Sequence, residues 1–224
     1  MIPLKDKNPS HSFPFVNYLL IAANVIVFFY ELSLGPGLDA FFVKYGLVPS
    51  RYFDAVANHT QLISRYVPFF TSMFIHGGWL HIIGNMWFLF IFGDNVEDKL
   101  GHKRYLAFYL LSGLAAGGLQ TYLSANSSIP TIGASGAISG VLGAYLVMFP
   151  RARIVTLIPI FFIFDIIDIS AILFIGFWFL IQFFSGMQSV SHGLSGGIAW
   201  WAHVGGFIAG ILMVPIFGRR RYAT

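Results

Sequence analysis

A serine and a histidine are the residues in this sequence best suited to chemistry. Ser135 stands in TIGASGAISGVLGAYLVMFP, residues 131–150, among small residues at the head of an apolar run. His203 stands in AWWAHVGGFIAG, residues 199–210, near the head of another. A serine hydroxyl is a weak nucleophile, but an imidazole within hydrogen-bond reach can take its proton as it attacks a carbonyl. That attack develops negative charge on the carbonyl oxygen, and donors must already be aimed at it. HIIGN, residues 81–85, supplies His81 and Asn85 four residues apart, on one face of a helix. Ser135 begins its own helix, so its backbone N–H lacks an intrahelical acceptor and is a third donor.

These groups are embedded in a chain whose solvent must be lipid. Hydrophobic residues make up 57% of its 224 residues and charged residues only 10%, where soluble domains average about 25% charged. A soluble globule of this size could not hide that much apolar surface. There is no cysteine, which excludes disulfides, thiolate metal sites and a cysteine nucleophile. The first apolar run lacks a small-residue cleavage signal and reads as a retained helix.

A bilayer-spanning helix needs roughly 20 apolar residues, and six segments qualify: 15–34, 79–98, 105–123, 135–149, 169–185 and 198–217. Together they predict an all-α membrane protein, a six-helix bundle forming one domain over 1–224. The connector 35–77 is long and reads as short amphipathic pieces lying at the interface. Residues 151–168, interrupted by Pro159, Asp165 and Asp168, are expected at the inner interface, because a carboxylate is expensive at the bilayer centre. Basic residues favour the cytoplasmic side. Lys5 and Lys7 precede the first helix, Lys99, Lys103 and Arg104 follow the second, Arg151 and Arg153 the fourth, and Arg219–Arg221 the sixth. Both termini are therefore expected in the cytoplasm, with the long first connector outside.

On this frame the serine and the histidine fall at one depth. Pro150 marks the inner end of the fourth helix, 15 residues past Ser135, or about 22 Å at 1.5 Å per residue. Phe217 lies 14 residues past His203, or about 21 Å. In a hydrocarbon core about 30 Å thick, Ser135 lies roughly 8 Å below the outer boundary. Asn85 reaches the same level if the second helix continues to Lys99, and sits lower if it stops at Gly93. The resulting pair is a dyad, since the second, fourth and sixth helices carry no carboxylate at this depth. Packing or a polar neighbour must orient the histidine.

GASG at 133–136, HIIGN at 81–85 and AHVGGFIAG at 202–210 resemble the rhomboid family of intramembrane serine proteases. The likeness implies a six-helix core, Gly133 and Ser135 as the GxSG serine motif, His203 as the general base, and His81 and Asn85 as the oxyanion-stabilising pair. Gly206 and Gly210 match small residues that let the sixth helix approach the fourth, where Gly136 lies next to the serine. Glu97, Gly101, Arg104 and Tyr105 resemble the family's ExxxGxxRF stretch. The resemblance covers about residues 15–217.

Blander readings of each group exist. Gly136-xxx-Gly140 is a small-residue pattern for helix packing, and Ser135 could belong to it. His81 and Asn85 could be interhelix glue. His76 and His192, in loops, are expected in water. A metal is not expected: there is no HExxH and no thiolate. Nor is a cofactor, or nucleic acid, for which the terminal arginines have a topological explanation. The expected function is serine endopeptidase action on transmembrane helices of other proteins, in the cell membrane, from a wet cavity open to the extracytoplasmic side. The fifth helix and the connector 186–197, with Gly186, Gly193, Gly196 and Gly197, are the expected cover. Two rivals are an inactive rhomboid-like protein that binds transmembrane helices, and a transporter.

Overall fold

The computed structural model describes residues 1–59, 62–160, 163–191 and 199–218. A short strand, β1 (Ile2–Asp6), leads into α1 (Phe15–Ser33). The long connector, expected as short amphipathic pieces, folds into three short helices among its described residues, α2 (Leu38–Tyr45), α3 (Pro49–Ala57) and α4 (Leu62–Thr71). Then come α5 (Trp79–Leu100), α6 (His102–Leu123) and α7 (Ser135–Met148), a hairpin of β2 (Arg153–Ile160) and β3 (Ile163–Ser170), α8 (Ala171–Ser191) and α9 (Trp200–Phe217).

Helices α1, α6, α8 and α9 are each long and apolar enough to cross a bilayer, and α5, joined to α4 through an 80° bend, makes a fifth candidate. The exception is α7. Its 14 residues span about 21 Å, well short of a hydrocarbon core. A helix that short needs no lipid contact if its neighbours enclose it, and Gly136 to Tyr145 are all buried. α5, α6 and α9 surround it. The core around it includes Phe92, Tyr105, Phe108, Val141 and Tyr145, with the rings of Phe92 and Tyr145 edge to face at 5.1 Å.

The expectation of an all-α chain needs correcting. Arg153–Ile160 and Ile163–Ser170 form two strands, and β1 completes an antiparallel sheet in the order β1-β2-β3. The segment is rich in β-branched Ile, Val and Thr, and Pro159 would break a helix there. β1 pairs with β2 only from Ile154 to Leu157. Pro159, which has no N–H to offer, therefore sits where β2 has a single neighbouring strand. Asp168 is exposed, as expected, and pairs with Lys7 at 2.5 Å. The sheet is fixed to the bundle by the Trp87 indole N–H donating to the Pro3 carbonyl at 2.6 Å and the Tyr145 hydroxyl donating to Asp6 at 2.6 Å.

The end of the bundle that carries the sheet is held by a second polar cluster. Glu97, fully buried on α5, accepts the backbone N–H groups of Val16 and Asn17 at 2.9 and 2.7 Å, and its carboxylate meets His102 at 2.5 Å. Those two N–H groups open α1, where no intrahelical acceptor exists. Asn17 in turn donates to the Leu89 carbonyl at 3.0 Å and accepts from the Tyr105 hydroxyl at 2.8 Å. Arg104, at the start of α6, donates to the Phe217 carbonyl at 3.3 Å, which brings the last turn of α9 to this same end.

Candidate active site

Ser135 is set in place before its helix begins. The strand-like segment leading to it is tied to the first connector by two bonds, Leu47 N–H to the Thr131 carbonyl at 3.0 Å and Thr131 N–H to the Leu47 carbonyl at 2.8 Å. Gly133 N–H then donates to the Ser72 carbonyl at 2.9 Å. Gly133 has φ +122°, in a region that L side chains rarely adopt, and a Cβ there would collide with the His81 ring. The glycine of the GxSG motif thus has two physical reasons to be glycine. α7 starts at Ser135, among longer helices.

His203 lies in the first turn of α9. α9 reaches α7 with no side chain between them: a Cβ on Gly206 would strike the Gly136 carbonyl, and one on Gly210 the Gly140 carbonyl. This contact brings His203 Nε2 to 2.8 Å from Ser135 Oγ. The other ring nitrogen, Nδ1, is 2.7 Å from Gln182 Oε1 on α8. Trp178 and Trp200 flank the imidazole, with ring centroids 6.0 and 6.3 Å away. The start of α9 is also pinned by Ala202 N–H donating to Gln120 Oε1 at 3.1 Å. Ser139, one turn after Ser135, donates its hydroxyl to the Ser135 carbonyl at 2.6 Å and so turns back onto its own helix.

His81 and Asn85 line the same cavity as Ser135 and His203, a hollow of about 1300 Å³. α5 runs on to Leu100, the longer of the two helix lengths considered for it. The Asn85 side-chain N–H₂ is buried and makes no hydrogen bond. The His81 tautomer follows from its neighbour. Gly77 N–H donates to His81 Nδ1 at 3.3 Å, so in the neutral ring the proton is on Nε2, the nitrogen that faces Gly133. The unpaired Asn85 amide and the His81 ring thus line the same hollow as the serine.

One expectation fails and one residue is new. His76 is not in water. It is 1% exposed, its backbone N–H donates to both carboxylate oxygens of Glu31 at 3.2 Å, and its ring lies 5.1 Å from that of His81. Its place between two helices looks like a loop in sequence, but the sharp bend there folds it inward. Gln182 is absent from the sequence-derived site. The signal was available: from Ala171 to Phe184 it is the single amide side chain, with only the Trp178 indole N–H as another polar group, and polar groups within spans rarely lack a partner or a purpose. Gly186 packs beside Trp200 and Trp201. His192, Gly193, Gly196, Gly197 and Arg219–Arg221 lie outside the described residues.

Comparison with known proteins bears on the family of the chain. A family model described as the Rhomboid domain matches residues 64–220. Rhomboid protein 1, mitochondrial, of Saccharomyces cerevisiae is 27% identical over 202 residues, which is 87% of this chain and 51% of the yeast protein. Human presenilin-associated rhomboid-like protein, mitochondrial, is 31% identical over 149 residues, 63% of this chain and 35% of the human one. RHOMBOID-like protein 6, mitochondrial, of Arabidopsis thaliana is 40% identical over 76 residues, 34% of this chain and 24% of the plant protein. The chain spans between about a quarter and about half the length of these relatives. With the family model covering more than half of the sequence and several apolar helices of spanning length, this chain is a multi-pass membrane protein that belongs to the rhomboid family.

Proposed function

We propose that the chain is an intramembrane serine endopeptidase, hydrolysing peptide bonds in or near transmembrane helices of other membrane proteins. Ser135 is the nucleophile and His203 the general base. The observation that carries this reading is the 2.8 Å approach of Ser135 Oγ to His203 Nε2 in a cavity shared with the unpaired amide of Asn85.

In the proposed reaction His203 Nε2 takes the hydroxyl proton as Ser135 Oγ bonds to the scissile carbonyl carbon. The oxyanion that forms is held by the Ser135 backbone N–H, the Asn85 amide and His81 Nε2–H. Collapse breaks the C–N bond, and His203 returns its proton to the departing amine. Water, activated by the same imidazole, then releases the acyl group. A substrate helix must unwind locally for this, because its carbonyls are already hydrogen-bonded, and polar groups in the cavity replace the lost bonds.

The same proposal includes the membrane frame. α1, α5, α6, α7, α8 and α9 are six crossings of one domain spanning residues 1–224. Both termini and the sheet lie in the cytoplasm, on the side favoured by the basic residues. The cavity opens to the extracytoplasmic face of the cell membrane. Reporter fusions at the termini and in the 35–77 connector test the orientation, and matching labels on both sides would refute it.

A fluorophosphonate probe on protein reconstituted in bilayers tests the chemistry. Wild type is expected to be labelled and to cut single-span proteins, and Ser135→Ala to do neither. Wild type that binds such proteins without labelling or cleavage, where an active relative reacts, would instead mark an inactive helix-binding member of the family.

A further inference from the structure

The arrangement around His203 points to a further assignment, which rests on the protease reading of the Ser135–His203 pair. We propose that Gln182 is the positioning residue for His203, and that it makes the base competent only while α8 is docked against α9. The amide orientation is settled by chemistry. Gln182 Nε2 donates to the Trp178 carbonyl at 3.3 Å, one turn earlier on the same helix. A carbonyl only accepts, so the nitrogen must face it and Oε1 must face His203. Oε1 lies 2.7 Å from His203 Nδ1. An amide oxygen also only accepts, so Nδ1 carries the proton of the neutral ring. Nε2 is then left with a lone pair, 2.8 Å from the hydroxyl it must deprotonate. Gln182 thus selects the reactive tautomer and fixes the ring plane, the two tasks that a carboxylate performs in a three-residue catalytic set. It does so without placing a charge inside the bilayer, where a carboxylate is costly.

The helix that carries Gln182 is anchored at its start, where Ala171, Phe174 and Ile175 are buried, and is open along its outer side. Leu173, Phe177, Leu180, Ile181 and Phe184 of α8 face outward. Its grip on α9 near the site is aromatic, with Phe179 stacked on Phe207 at 4.4 Å between centroids. A hydrogen bond of 2.7 Å is lost once the atoms part by about 1 Å. Outward movement of α8 that widens the cavity for a substrate therefore also disconnects the base. Chemistry waits for α8 to return.

Four experiments on the protein in bilayers test this. Gln182→Met keeps bulk and removes the acceptor. Fluorophosphonate labelling of Ser135 and kcat for a single-span substrate are expected to fall together by about 10–100-fold, the scale seen when the partner orienting a metal-bound imidazole is lost, with KM unchanged. Gln182→Glu restores an oxygen at Nδ1 and is expected to recover at least tenfold over the methionine variant. Nitrogen-15 NMR of wild-type His203 is expected to show the proton on Nδ1. Phe179→Ala loosens α8 from α9 and is expected to slow labelling even though it opens the cavity. Methionine-variant labelling at the wild-type rate, or a proton on Nε2 in wild type, overturns the role of Gln182. Faster labelling of Phe179→Ala overturns the dependence on α8. Wild type that neither labels nor cleaves overturns the protease reading itself, an outcome distinct from either.

Discussion

Two of the polar clusters buried among the described residues differ in one respect. Around Glu97, at the end that carries the sheet, the groups are matched: the carboxylate takes two backbone N–H groups and meets His102, Asn17 donates and accepts, and the Tyr105 hydroxyl has its acceptor. Around Ser135, the Asn85 amide is left without a partner and a cavity lies in front of it. A buried unpaired donor costs about 1–3 kcal/mol, a cost without return unless something arrives to accept the bond. A matched cluster fastens helices together. An unmatched one beside a hollow marks where a ligand atom belongs.

The sharpest way to break that contrast is at Asn85. If its free amide serves a developing oxyanion, Asn85→Ala slows turnover by about 10²–10³ and leaves thermal unfolding unchanged or slightly improved. Equal turnover would show that the vacant donor is an accident of packing. The complementary change is Glu97→Ala. It strips acceptors from two buried N–H groups and is expected to destabilise the fold by about 2–4 kcal/mol, read as a lower unfolding midpoint in bilayers or detergent. Folded protein that survives 37 °C is expected to label with a fluorophosphonate at the wild-type rate per molecule. A labelling loss without an unfolding shift would erase the distinction between the clusters.

A smaller effect is expected near the first cluster. Burial pushes the Asp6 carboxyl up to about 6, against the pull of its bond from Tyr145, with the Asp94 charge adding to the rise. The folded protein therefore holds a proton that the unfolded chain has already released. The stability this contributes is complete below about pH 4 and is lost as the pH climbs through about 6. Since Asp6 is partly exposed, the change is about 1 kcal/mol after allowance for solvent screening. Wild type should weaken from pH 4 to 7 relative to Asp6→Asn, and parallel unfolding curves would remove Asp6 from the account.

Much of the helical frame was legible because lipid imposes length and hydropathy on every span. The run at 135–149 stood out by its terminal Pro150, and the structure ends α7 at Met148. The strands were not legible. In 153–170 the few polar residues follow neither a period of two nor one of 3.6, and the partner strand lies more than 140 residues earlier, at Ile2–Asp6. The inward turn of His76 depends on the 80° bend between α4 and α5, a tertiary property without a local signature. Gln182 is hard to read from sequence for a different reason. Its significance lies in its register against α9, which a search for known motifs does not examine, although a lone amide in an apolar span carries the clue.

The glycine seam between α7 and α9 has a mechanical meaning. Backbone resting on backbone leaves no side chain to flex, so these two helices shift as one body. Bilayers differ in thickness by several ångströms, and helices answer by tilting or deforming the lipid around them. Here such tilting carries hydroxyl and imidazole along together, and the gap between them stays insulated from the composition of the host membrane.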